Sequence, residues 1–141
     1  MDSNNFNPNG MLIILDLWGC EFGILNHPSF LFYQAKLAAE QANMQVLAIS
    51  IVPFKPQGLS LALILGESHL TIHTSPEYGY AAIDVFTCGK GNPLLAAKYL
   101  CDVLKPEEVS IKKIERGVKP LIGGEKLEMD SQLKEADHAS R

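Results

Sequence analysis

The chain has 141 residues, 47% of them apolar and 20% charged, with a formal net charge of −4. That length suits one domain, large enough to hold a core without metal or disulfide. The acidic balance argues against a nucleic-acid partner or an anionic membrane surface, both of which favour a basic face. Lys112, Lys113 and Arg116 form only a small basic group.

Three cysteines, Cys20, Cys88 and Cys101, cannot all pair with one another. The opening MDSNNFNPNG lacks the charged-then-apolar order of a secretory signal. Free thiols in a reducing cytoplasm are therefore expected. No apolar run approaches the roughly 20 residues that a spanning helix needs.

Residues 1–10 read as a flexible lead. Residues 11–18 are apolar and branched enough for a buried strand. Asn26-His27-Pro28 opens a helix, and Phe30, Tyr33, Leu37, Ala38 and Ala42 continue it at helical spacing to Asn43. Residues 45–52 return to a strand, and Pro53, Pro56 and Gly58 mark a turn. Residues 59–65 form a second apolar strand. In residues 68–74, Leu70 and Ile72 alternate with His69, Thr71 and His73. Residues 75–79 predict a hairpin loop, which sets Thr74 opposite Tyr80 and Ser68 opposite Phe86. The return strand is 80–87. Asn92-Pro93 opens a helix running to about Leu104, and 109–115 form the last strand. One domain, 11–116, is followed by a polar tail, 117–141.

The order is β-α-β-β-β-β-α-β. Tight turns imply antiparallel pairing, and two helices can cover only one face. The expected class is α+β, a two-layer sandwich of an antiparallel sheet with helices on one face.

Residues 66–89 read GESHLTIHTSPEYGYAAIDVFTCG. A core strand has little use for so many reactive side chains. The stretch resembles the processing and active-site region of the bacterial S-adenosylmethionine decarboxylase proenzymes, and the likeness extends from about Leu12 to Arg116. These enzymes cut their own chain and turn a serine into a pyruvoyl cofactor. The resemblance implies cleavage between Glu67 and Ser68, giving chains 1–67 and 68–141. It makes Ser68 the pyruvoyl precursor that forms a Schiff base with the substrate. His73 becomes the proton acceptor in processing, with Ser60 assisting, and Cys88 the proton donor in decarboxylation. Phe54 would stack on adenine and Glu77 would hold the ribose hydroxyls. The implied product, decarboxylated S-adenosylmethionine, feeds spermidine synthesis. The short subtype that it resembles uses neither putrescine nor a metal.

The chemistry has a physical basis. A serine hydroxyl can attack the carbonyl before it and form an ester, given a base, an oxyanion donor and a backbone that relieves strain. Elimination then frees a chain ending at Glu67, and hydrolysis of the resulting dehydroalanine leaves a pyruvoyl group. Gly66 permits unusual backbone angles beside the bond. A pyruvoyl carbonyl accepts the electrons released with carbon dioxide, as pyridoxal phosphate does. The hairpin brings Cys88 near Ser68 to return a proton. His73 lies five residues along the strand, about 17 Å away. It is therefore expected to serve Ser68 of a second subunit across a two-fold axis, with Ser60 and Phe54 on its side. The expected assembly is a homodimer with composite sites.

His69 and His73, at i and i+4, have only Cys88 as a nearby third ligand, so no metal is expected. His69 reads as structural, and Cys20 and Cys101 as inert. The family usually has tryptophan at Ser75, commonly histidine at Val52, and glycine at Leu61, where leucine is expected to stiffen a turn. Two other readings stay open at this point: an arginine or ornithine decarboxylase on the same scaffold, and a non-processing regulatory or binding relative.

Overall fold

A computed structural model describes residues 8–120. The expected lead and tail lie mostly outside the described residues, as does His138. The elements are β1 (Gly10–Trp18), α1 (Phe22–Leu25), α2 (Pro28–Gln41), β2 (Val46–Pro53), β3 (Leu59–Leu65), β4 (Ser68–Ser75), a 3-10 turn (Pro76–Tyr78), β5 (Tyr80–Cys88), α3 (Pro93–Leu104) and β6 (Glu108–Arg116). The one-turn helix α1 was not expected; four residues are too few for a periodic signal.

The strands form one six-stranded antiparallel sheet in the order β2-β3-β4-β5-β1-β6. Both long helices start as the sequence implies. The His27 ring accepts a bond from the Phe30 N–H at 3.1 Å, and the Asn92 side chain accepts one from the Leu94 N–H at 3.2 Å. A proline follows each cap in the first turn.

The core lies between the helices and one sheet face. Ile13, Leu15 and Leu17 of β1, Leu61 and Leu63 of β3, and Ile83 and Val85 of β5 are buried there. Ala35, Ala38 and Ala39 of α2 and Ala96 and Ala97 of α3 meet them. Small side chains on both helices allow close approach to the sheet. The opposite face has no helix among the described residues. It carries the other half of each strand, including Ser60, His69, His73 and Phe86. Among the described residues, no helix is long and apolar enough to cross a membrane.

The β4–β5 register differs by one residue from expectation. Ser75 stays in β4 and pairs with Tyr80, Thr74 pairs with Ala81, and His69 pairs with Phe86. The 3-10 turn and Gly79 close the hairpin in four residues instead of five. Gly79 has φ of +62°, and a Cβ there would lie 3.0 Å from the Cys20 carbonyl oxygen. Its own carbonyl accepts a bond from the Cys20 N–H at 3.0 Å. Gly79→Ala should therefore destabilise the fold by about 1 kcal/mol or more. Thermal melts at fixed concentration should show a midpoint about 3–5 °C lower; an unchanged midpoint contradicts this packing.

Candidate active site

Two residues, Gly66 and Glu67, turn β3 into β4. Leu65 pairs with Ser68 across the turn. Glu67 has φ of +57°, in the left-handed region that suits glycine better. The sequence expectation placed the unusual angles on Gly66. Instead the strain falls on Glu67, the residue whose carbonyl precedes Ser68. The Cys88 N–H donates to Ser68 Oγ at 3.1 Å. Ser68 and Cys88 thus meet at the β4 start and the β5 end, despite the shifted register.

A second group stands at the other end of β4. Ser60 and His73 are register partners on β3 and β4, and Ser60 Oγ lies 2.6 Å from His73 Nδ1. With the ring as donor, Nδ1–H points to Ser60 Oγ and leaves Nε2 unprotonated, free to accept a proton. Phe54, just beyond β2, is half exposed, and its N–H donates to the Gly58 carbonyl at 2.8 Å. Glu77 accepts a bond from Gln57 Nε2 at 3.2 Å. The Gly58 N–H in turn donates to Asn26 Oδ1 at 2.9 Å, which ties this turn to the helical layer. Ser60, His73, Phe54 and Glu77 therefore gather at one end of the sheet, and Ser68 and Cys88 at the other. Five strand residues, about 17 Å, separate Ser68 from His73.

Leu61 needs correction. It does not stiffen a turn: it lies inside β3, paired with Ile51 and Ile72, and is buried in the core. Val52 pairs with Ser60 on the open face and is exposed. The departure there removes a titratable side chain beside the Ser60–His73 pair.

Sequence reasoning missed several residues. Tyr80 donates to Asp16 Oδ1 at 2.5 Å, and the Trp18 ring lies 4.3 Å from the Tyr80 ring. The bond to Asp16, then burial and the negative charges of Asp16 and Asp84, push the Tyr80 phenol up to about 12. Gln57 was missed as the partner of Glu77. The Arg116 guanidinium lies 4.6 Å from the Phe86 ring centre, and the His69 ring lies 5.5 Å from it on another side. None of these groupings has a signal in linear spacing; the sheet order creates them. Among the described residues, no cluster of three or more histidines, cysteines or carboxylates could hold a metal.

The S-adenosylmethionine decarboxylase family model matches residues 11–117. The S-adenosylmethionine decarboxylase proenzyme 2 of Bacillus cereus is 42% identical over 114 residues, which cover 80% of this chain and 93% of that protein. The Brevibacillus brevis proenzyme is 44% identical over 110 residues, 77% of this chain and 83% of that one. The chain belongs to the S-adenosylmethionine decarboxylase family. The crystal structure of the adenosylmethionine decarboxylase from Aquifex aeolicus superposes with a TM-score of 0.75 at 27% identity, covering 86% of this chain and 99% of that one. A Trypanosoma brucei family member shares the fold, with a TM-score of 0.55 at 16% identity, and this chain covers 44% of it.

Within this family member the three thiols differ. Cys20 is buried, and burial, with the nearby Cys101 thiol, pushes it up to about 11. Burial, then Asp102, also raises Cys101. Cys88 is only half-buried. At pH 8, iodoacetamide should label Cys88 well before Cys20, since Cys20 then carries little thiolate. Peptide mass spectrometry reads the order, and faster labelling of Cys20 contradicts it. For Cys20, a folded value above the unfolded one favours the folded state below about pH 9. That contribution disappears as pH rises through about 11.

Proposed function

We propose that the chain cuts itself between Glu67 and Ser68 and then converts S-adenosylmethionine to S-adenosylmethioninamine and carbon dioxide for spermidine synthesis. The compartment proposed is the cytoplasm. The observation that carries the reading is the left-handed Glu67 directly before Ser68, whose Oγ is held by the Cys88 N–H. The residue before the bond to be broken thus carries backbone strain, and the nucleophile accepts from the backbone N–H of the residue whose thiol is proposed as proton donor.

Ser68 fits as the precursor of a pyruvoyl group. That group supplies an electron sink for the departing carbon dioxide. The chain's own residues do the rest. His73, oriented by Ser60, takes the proton from the Ser68 hydroxyl as the ester forms. Cys88 returns a proton to the substrate carbon after carbon dioxide leaves. The exposed Phe54 ring offers a stacking surface for adenine, and the Glu77 carboxylate accepts bonds from the ribose hydroxyls. The curated relatives described above are all S-adenosylmethionine decarboxylases, which supports the nucleoside over free arginine or ornithine as substrate.

The separation of Ser68 from His73 supports a homodimer with composite sites. The open sheet face carries exposed Val52, Ile64 and Ile114, an apolar surface suited to burial. A two-fold axis through that face sets the Ser60–His73 end of one copy against the Ser68–Cys88 end of the other.

Intact mass under denaturing conditions should give two pieces, one ending at Glu67 and one beginning with a pyruvoyl group. Ser68→Ala should give a single uncut, inactive chain; cleavage of that variant would sink the mechanism. Cys88→Ala should process normally and lose about 10²–10⁴-fold in kcat. For the composite site, Ser68→Ala and His73→Ala chains are refolded together and mixed dimers isolated. The His73→Ala chain, served by its partner's intact histidine, should be cut. If it stays whole in confirmed mixed dimers, the shared-site assignment fails.

A further inference from the structure

We propose that Arg116 is a specificity-determining residue that binds the α-carboxylate of the substrate. The proposal rests on the functional reading above, which puts the substrate α-carbon beside Cys88. Gly10 of β1 pairs with Cys88 on one side and with Arg116 on the other. By strand alternation all three belong to the open face, the one that also carries Phe86 and Leu12. Gly10 has no side chain to fill the space between its two neighbours. A Cβ there would lie 2.6 Å from the Thr87 carbonyl oxygen and 2.9 Å from the Phe86 ring. The ring has settled over the glycine, and the Arg116 guanidinium rests against the ring at 4.6 Å from its centre.

Arg116 therefore reaches from an edge strand across β1 to Phe86, which lies two residues before Cys88 on the same face of β5. The two backbones are two strand spacings apart, about 10 Å, and the long arginine side chain spans most of that gap. A carboxylate on a carbon in contact with the Cys88 thiol lies within reach of the guanidinium. Among the described residues, no carboxylate pairs with Arg116, whose guanidinium rests on the Phe86 face. Stacking on an aromatic ring leaves the edge N–H donors of guanidinium open for a bidentate bond. The arrangement selects α-amino acids over amines, including the reaction's own product.

This role has a kinetic signature. The carboxylate loses its charge as it becomes carbon dioxide, so its bond to arginine is strongest before the transition state. Such a bond lowers KM and does not raise kcat.

The test compares the wild-type protein with Arg116→Met, both confirmed as fully cut by mass. Calorimetry measures binding of two unreactive 5′-thioadenosines. One carries a three-carbon chain ending in a carboxylate; the other has the same chain ending in a methyl group, and neither has an amine. Arg116→Met should weaken the carboxylate ligand about tenfold or more and leave its neutral partner nearly unchanged. With S-adenosylmethionine, KM should rise by a similar factor while kcat stays constant or rises. Equal loss for both ligands, or no loss for either, overturns the assignment; so does a fall in kcat at unchanged KM. If the wild type is uncut or ignores S-adenosylmethionine, the functional reading itself falls, and this proposal with it.

Discussion

Everything in this molecule depends on the strict two-residue alternation of an antiparallel sheet covered on one face. The helices take the odd positions of β1, β3 and β5 and the even positions of β4. The remaining positions are then free to carry polar and reactive residues such as Ser60, His73 and Cys88 without disturbing the core, while Ser68, the first residue of β4, shares the parity of buried Leu70 and Ile72 but is only partly buried. Leu61 and Ser60 are neighbours in sequence, yet one is core and the other bonds His73. A one-residue slip in any central strand would exchange those roles along its length. The buried leucines therefore hold the site in register as much as they hold the fold together.

The sheet also distributes the chemistry. Hairpins at opposite ends carry the two reactive groups: Gly66-Glu67 turns the chain beside Ser68, and the turn from Pro76 to Gly79 presents Glu77. The strand between them is extended and paired on both sides, so the two groups are held apart. A single copy has half of each set of tools at each end. That is the physical reason for reading the open face as a meeting surface and the site as shared.

Strain and charge are local refinements on this frame. The left-handed φ at Glu67 is an energetic cost placed at one peptide bond and held there by the pairing of Leu65 with Ser68. Gly79 is held more cheaply, because glycine accepts its positive φ. On the open face, Tyr80 bonds Asp16, and Arg116 leans on Phe86 over the bare backbone of Gly10. Both contacts cross strands that are far apart in sequence.

The strands, the two long helices and their caps were legible in the sequence, because periodicity and proline-marked caps are local signals. The pairing of Ser68 with Cys88 was legible for a related reason: one hairpin joins them, and even a one-residue error in register left them adjacent. The family resemblance, carried by residues 66–89, pointed to the same serine, histidine and cysteine. Leu61 was misread because glycine in relatives suggested a turn, whereas here a leucine extends the core face of β3. The sheet order β2-β3-β4-β5-β1-β6 was not legible, since strand adjacency beyond a hairpin leaves no periodic trace. With it went the Tyr80–Asp16 bond, 64 residues apart in sequence, and the seat of Arg116 beside Phe86. The sequence by itself determined which residues turn, alternate and react, through backbone sterics and side-chain periodicity. Tertiary structure alone decided which of them meet, because insertion of β1 between β5 and β6 is settled by packing of the whole sheet against its helices.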